Sequence, residues 1–136
     1  MRLKQAGSAA VELALVLPLF LLSLDGIIEF SMVMYDKNII SNAAREAARA
    51  GLVLATPKMV SADISAVATS YCNAFLISFG DVNTLSVVVL QSTPPDYQTP
   101  LSVTVSYTYS NMLLGSSLSA MNIPIVLTSN STQNNE

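Results

Sequence analysis

Nucleophilic chemistry needs a base within reach of a nucleophile, and this chain of 136 residues has no histidine and a single cysteine, Cys72. Serines and threonines are abundant, but a Ser-His-Asp arrangement is impossible without an imidazole. Ser-Lys catalysis would need a lysine in the outer part of the chain. Lys37 and Lys58 are the candidates, and both read as solvated charges at helix ends. Paired carboxylates could serve hydrolysis. Asp63, Asp81 and Asp96 are instead scattered over a helix, a cap and a loop, and nothing suggests that they converge. One Cys and no His fall short of the usual zinc ligand sets, and no Gly-rich phosphate loop is present. Cys72 lies on an apolar helical face and reads as a buried small hydrophobe. The expectation is therefore no catalytic residue, no metal, no cofactor and no small-molecule substrate. The chain does not read as an enzyme.

Charge is scarce. The sequence is 51% hydrophobic and 11% charged, against about 25% charged in an ordinary soluble domain. Its net charge is -3, and Lys58 is the only basic residue after Arg49. Nucleic-acid binding needs clustered Lys and Arg to displace counterions, so that class is excluded. A lone cysteine cannot form an intramolecular disulfide.

The remaining residue with chemistry is Glu12, and an apolar run must position it. Residues 8–28 carry only two charges, Glu12 and Asp25. A bilayer needs about 20 apolar residues at 1.5 Å each, so the run predicts a transmembrane helix. A cleaved signal peptide would have a shorter apolar core and an A-x-A site after it; residues 25–30 offer none. Arg2 and Lys4 precede the run, which by the positive-inside rule keeps the N-terminus cytoplasmic. Pro18 removes a backbone donor and can kink the helix, as membranes tolerate. A carboxylate in the apolar region costs about 2.5–3.5 kcal/mol and usually marks pairing or function. The alternative is that Glu12 snorkels to the headgroups.

The start of the chain is a short basic leader, Met1 to Gly7, and Glu12 follows the glycine by five residues. This resembles the class III leader of type IV pilin-like proteins. Residues 7–31, with Pro18 in the apolar run and a Gly-Ile-Ile-Glu-Phe exit, followed by the Ala-Ala-Arg-Glu pattern of residues 42–51, are similar to the TadE-like family. That family comprises minor pilins or pseudopilins of the tight-adherence (Flp) pilus system. The resemblance covers about the first 52 residues. It departs at Leu13, where Flp-type sites usually carry an aromatic. It implies cleavage by a prepilin peptidase between Gly7 and Ser8. The new amine at Ser8 of one subunit would pair with Glu12 of a neighbour, since a buried charge is tolerable when paired. It also implies an inner-membrane protein with a periplasmic C-terminal domain that is then packed into or at the base of an extracellular pilus. The implied partners are the membrane, the peptidase, other pilin or pseudopilin subunits and the assembly platform. The competing function is a single-pass membrane protein with a small periplasmic binding domain unrelated to pili.

Beyond the membrane the helical pattern continues to about Leu54, with no proline between Pro18 and Pro57. Ile40, Ala43, Ala44, Ala47, Ala48 and Gly51 form a stripe of small residues that lets a second helix approach closely. Arg45, Glu46 and Arg49 lie opposite. The stripe reads either as the apolar side of an amphipathic helix or as an assembly surface. Thr56-Pro57 predicts the start of a second helix, with Gly80 as its C-cap. Strands are expected at residues 86–90, 101–110 and 123–128, with a turn at 93–96. In the second strand Val103, Val105, Tyr107 and Tyr109 should face the core. The predicted organisation is a leader (1–7), a long helix (8–54), a small helix-plus-sheet domain (55–128) and a flexible tail (129–136). The fold class is α+β: a long N-terminal helix, a second amphipathic helix and an antiparallel sheet of about three strands. The family resemblance adds a type IV pilin-like arrangement.

Overall fold

A computed structural model of the chain describes residues 3–53, 57–78, 84–92, 99–109 and 125–134. Helix α1 spans Leu3–Leu52 and contains Pro18. At 1.5 Å per residue its 50 residues extend about 75 Å. Helix α2 spans Ser61–Phe75. Strands β1 (Thr84–Leu90), β2 (Leu101–Tyr109) and β3 (Ile125–Gln133) form one antiparallel sheet in the order β1-β2-β3. The α+β expectation holds.

The core forms where α1, α2 and the inner face of β2 meet. Ile40, Ala43, Ala44, Ala47 and Ala48 of α1 are fully buried, as are Ile64, Ala68 and Cys72 at every fourth position of α2. The alternation expected in β2 is present: Leu101, Val103, Val105, Tyr107 and Tyr109 are buried. The intervening Ser102, Thr104, Ser106 and Thr108 lie on the outer face, part-exposed.

Helix α2 is shorter than predicted at both ends. It begins at Ser61 rather than at Pro57, with Val60 as an extended N-cap at ψ 158 that makes no side-chain capping bond. Gln91 explains the late start. Its amide donates to the Met59 carbonyl at 3.1 Å and accepts from Ser61 Oγ at 3.1 Å. The segment before Ser61 is thereby held extended against the end of β1. Asp63 in the first turn complements the helix dipole. At the other end Leu76 turns extended, and the next amide, Ile77 N–H, donates to Asp36 Oδ1 at 3.2 Å instead of continuing the helix. Thr56, Gly80, Asp81, Asp96 and the turn at 93–96 lie outside the described residues, as do Leu54, Ile123 and Pro124.

Residues 129–133 are not a flexible tail. They are the second half of β3, in register Ser129↔Val105, Ser131↔Val103 and Gln133↔Leu101. The central strand needs hydrogen-bond partners on both edges; the backbone of residues 129–133 supplies them on this edge, and the side chains there need only be small and polar. On the outer face Asn130 Nδ2 donates to Thr104 Oγ1 at 3.0 Å and Thr132 Oγ1 to Ser102 Oγ at 3.1 Å. Lys37 also differs from expectation. It lies within α1, not at a helix end, and its ammonium donates to the Thr128 carbonyl of β3.

Two contacts fix how the sheet lies on α1. A Cβ on Gly51 would stand 2.5 Å from Leu101 Cδ2, at the start of β2. The hydroxyl of Tyr109, at the end of β2, donates to Glu29 Oε1 at 3.1 Å. Strand β2 therefore runs antiparallel to α1 along residues 29–51, and its last residue sits just beyond the apolar run.

Candidate functional site

The two halves of α1 present different surfaces. From Gly7 to Leu24 every residue is exposed, and none of the described residues folds back over Gly7, Ser8 or Glu12. Leu15 is 74% exposed and Leu19 66%, which in water would be a severe apolar liability. This stretch is long and apolar enough to cross a membrane, with mean hydropathy 2.2 over its 18-residue window. Local bonds satisfy the two hydroxyls near its exit. Ser23 Oγ donates to the Leu19 carbonyl at 2.9 Å and Ser31 Oγ to Ile27 at 2.7 Å, the i−4 pattern that suits hydroxyls in apolar surroundings. One N-terminal apolar helix fits a single-pass membrane protein.

The small-residue stripe lies on the other half. Ala43, Ala44, Ala47 and Ala48 are buried in the chain's own core, against α2 and the sheet. Gly51 admits Ile64 and Leu101 so closely that no side chain fits there without displacement. The close helix approach expected from these residues is thus made by α2 of the same chain. The opposite face is solvated: Glu46 and Arg49 pair at 3.7 Å while both remain more than half exposed, a contact worth a few tenths of a kcal/mol, on the order of 0.3.

A buried aspartate and a half-buried glutamate on the same helix face were missed by sequence reasoning. Asp36 is fully buried, accepts from the Ile77 amide through Oδ1, and its Oδ2 has no hydrogen-bond partner among the described residues. Burial raises its pKa above the usual carboxylate value, and the amide bond opposes that shift only partly. One turn-pair toward the membrane, Glu29 receives the Tyr109 hydroxyl. Burial first, then the hydrogen bond to Glu29 and the neighbouring Glu29 and Asp36 charges, push the Tyr109 phenol well above its ordinary value. A signal was present. Continuing the stripe backward from Ile40 at alternating spacing gives Asp36, Val33 and Glu29, which puts two acids on the face that the core needs.

The other candidate groups do not assemble a site. Cys72 is fully buried, and desolvation pushes its thiol to about 11, so it stays a protonated, unreactive packing group. Among the described residues no cluster of metal-ligating side chains occurs. An open groove of about 540 Å³ runs along the outer side of α2, between Ala66, Val67, Ser70, Tyr71, Ala74 and Phe75. The Tyr71 and Phe75 rings pack at 4.8 Å beside it. Its lining supplies hydroxyls but no acid and no general base.

Comparison with known proteins bears on α1. The family model described as TadE-like protein matches residues 7–49. Those residues are nearly all of α1, from Gly7 to Arg49 in its last turn. No curated protein and no solved structure matches the chain.

Proposed function

With a TadE-like segment at residues 7–49 as premise, we propose that the chain is a non-catalytic structural or assembly subunit, a minor pilin or pseudopilin, of a tight-adherence pilus. Prepilin peptidase cuts between Gly7 and Ser8 on the cytoplasmic side of the inner membrane. The apolar half of α1 then packs beside the same segment of other subunits, and Glu12 of one subunit neutralises the amine of Ser8 in the next. The domain of α2 and the sheet stands in the periplasm.

The observation that carries this reading is an uncovered apolar half-helix inside the family match. The match spans residues 7–49 of α1, and within it residues 7–24 are covered by none of the described residues. The alanine stripe is already filled by α2, so packing between subunits falls to the N-terminal half. There a lone carboxylate disfavours insertion by about 2.5–3.5 kcal/mol, and an ammonium partner removes that penalty.

The test is intact-mass analysis of membrane-extracted protein from a host with a functional prepilin peptidase. Loss of residues 1–7 with Ser8 as the new N-terminus is expected. An intact leader in such a host overturns the processing step. Glu12→Ala should still insert in the membrane and fail to assemble; normal assembly of that variant overturns the charge pair.

A further inference from the structure

The structure fixes the level of the sheet along α1. Glu29 is the first residue after the apolar run of residues 8–28, and Tyr109 is bonded to it. Tyr109 pairs with Ile125, and Thr108 with both Val126 and Thr84. One end of all three strands therefore stands level with the exit of α1 from the bilayer.

At that end the exposed residues are Thr84 of β1 and an apolar pair on β3. Ile125 is 41% exposed and Val126 62%. The Lys37–Thr128 bond ties β3 to one flank of α1. Phe30 precedes Lys37 by two helical turns and Met34 by one, so both share that flank. They are exposed too, at 62% and 45%. The exposed apolar surface of the membrane segment, through Ile27 and Ile28, thus continues past Glu29 onto Phe30, on the flank next to β3. Ile125 shares the α1 side of the sheet with its partner Tyr109, and Val126 points to the outer face with its partner Thr108. No strand carries a charged side chain, and the sequence joining β2 to β3, residues 110–124, has none either. Nothing charged on these elements opposes contact with lipid.

We infer that the Ile125–Val126 end of β3, with Phe30 of α1, rests in the interfacial layer of the outer leaflet as a second membrane contact. The occupant of this surface is lipid, because the strand end lies at the depth where the bilayer ends and Phe30 continues the lipid-facing side of α1 beside it. The polar interfacial layers bring the bilayer from ~30 Å to about 40–45 Å, roughly 5–7 Å on each side, which covers about the first turn beyond residue 28. The consequence is a domain lying against the membrane, not a free head on a stalk. This inference rests on the membrane-spanning reading of residues 8–28.

The test uses the full chain in liposomes with an environment-sensitive fluorophore on an introduced cysteine. Cys72 is buried and its thiol is held protonated, so labelling of the folded protein is confined to the new site. Three variants are compared: Val126→Cys at the contact, Leu90→Cys at the far end of the sheet, and Leu19→Cys within the span. Leu90 pairs with Ser102, six residues along β2 from Thr108, or about 20 Å farther out. The probe at 126 should be quenched by spin-labelled lipid and shielded from aqueous iodide, and the probe at 90 should show the reverse. Lipid quenching at 19 but iodide quenching at 126 overturns the second contact and leaves the span intact. Iodide quenching at 19 overturns both. Shielding at 126 that appears only at high protein-to-lipid ratio, without lipid quenching, overturns the lipid assignment in favour of a second copy.

Discussion

Tyr109 and Glu29, 80 positions apart in the chain, are joined by a 3.1 Å hydrogen bond that pins the end of the central strand to the long helix. A hydrogen bond to a charged acceptor contributes about 1.5–3 kcal/mol. Tyr109→Phe should destabilise the domain by that amount, read as a lower denaturant midpoint in detergent micelles. Glu29→Gln keeps an acceptor oxygen and should lose less. Equal losses in the two variants would show that the geometry of the bond is not what matters.

Asp36 should make the domain less stable as pH rises. Its folded pKa lies above the unfolded value, so between the two values the folded state holds a proton that the unfolded state has released. By linkage, stability falls with pH in that window. The contribution is fully present below the unfolded value near 3.8 and is lost as pH passes the raised folded value. The groups facing Asp36 are the Ile77 amide, Tyr109 and, beyond it, Glu29 and Tyr107. Asp36→Asn keeps an oxygen for the Ile77 amide and carries no charge. The variant should be more stable than the parent at neutral pH, and the difference should vanish in acid. Parallel stability curves for the two proteins from pH 3 to 8 would rule this out.

Gly51 and Gly26 should answer differently to the same substitution. A Cβ at Gly51 meets Leu101 at 2.5 Å and Ile64 at 2.7 Å, both in the packed core; at Gly26 nothing lies within 4 Å. Gly51→Val should destabilise by about 1–3 kcal/mol through overpacking. Gly26→Val should leave the midpoint of the domain unchanged. The comparison is made by chemical denaturation under one detergent condition.

Cys72 should resist maleimide in the folded protein and react on unfolding, since its thiol is both buried and pushed to about 11. Cys72→Ser places a hydroxyl where no partner was needed and should cost about 1–3 kcal/mol. Rapid labelling of the native protein at pH 7 would contradict the burial.

Period and composition made much of this architecture legible. The unbroken helix through residue 52, the inward face of β2 and the burial of Cys72 follow from periodicity alone. What failed to show has physical causes. Strand β3 was hidden beyond Thr128 because its partner supplies the backbone hydrogen bonds and its side chains need only be small. The ends of α2 were misplaced because Gln91 and Asp36, 41 residues from Ile77 in the latter case, redirect the local backbone. Asp36 was overlooked as a core residue, and half-buried Glu29 as its neighbour on the same face, because a carboxylate is ordinarily assigned to solvent. At the N-terminal end, Glu12 was conspicuous for the converse reason: its neighbours are apolar.

Strand β3 is also the described element synthesised last, and it alone closes the second edge of β2. Until it arrives, α1 is already long enough to sit in the membrane, while the central strand has one row of amides and carbonyls open. A ribosome that stalls before residue 125 therefore leaves a tethered chain with a sticky, uncharged edge, the template on which strands of other chains assemble. The sheet is therefore complete only once the last described strand is made, and until then β2 has one open edge.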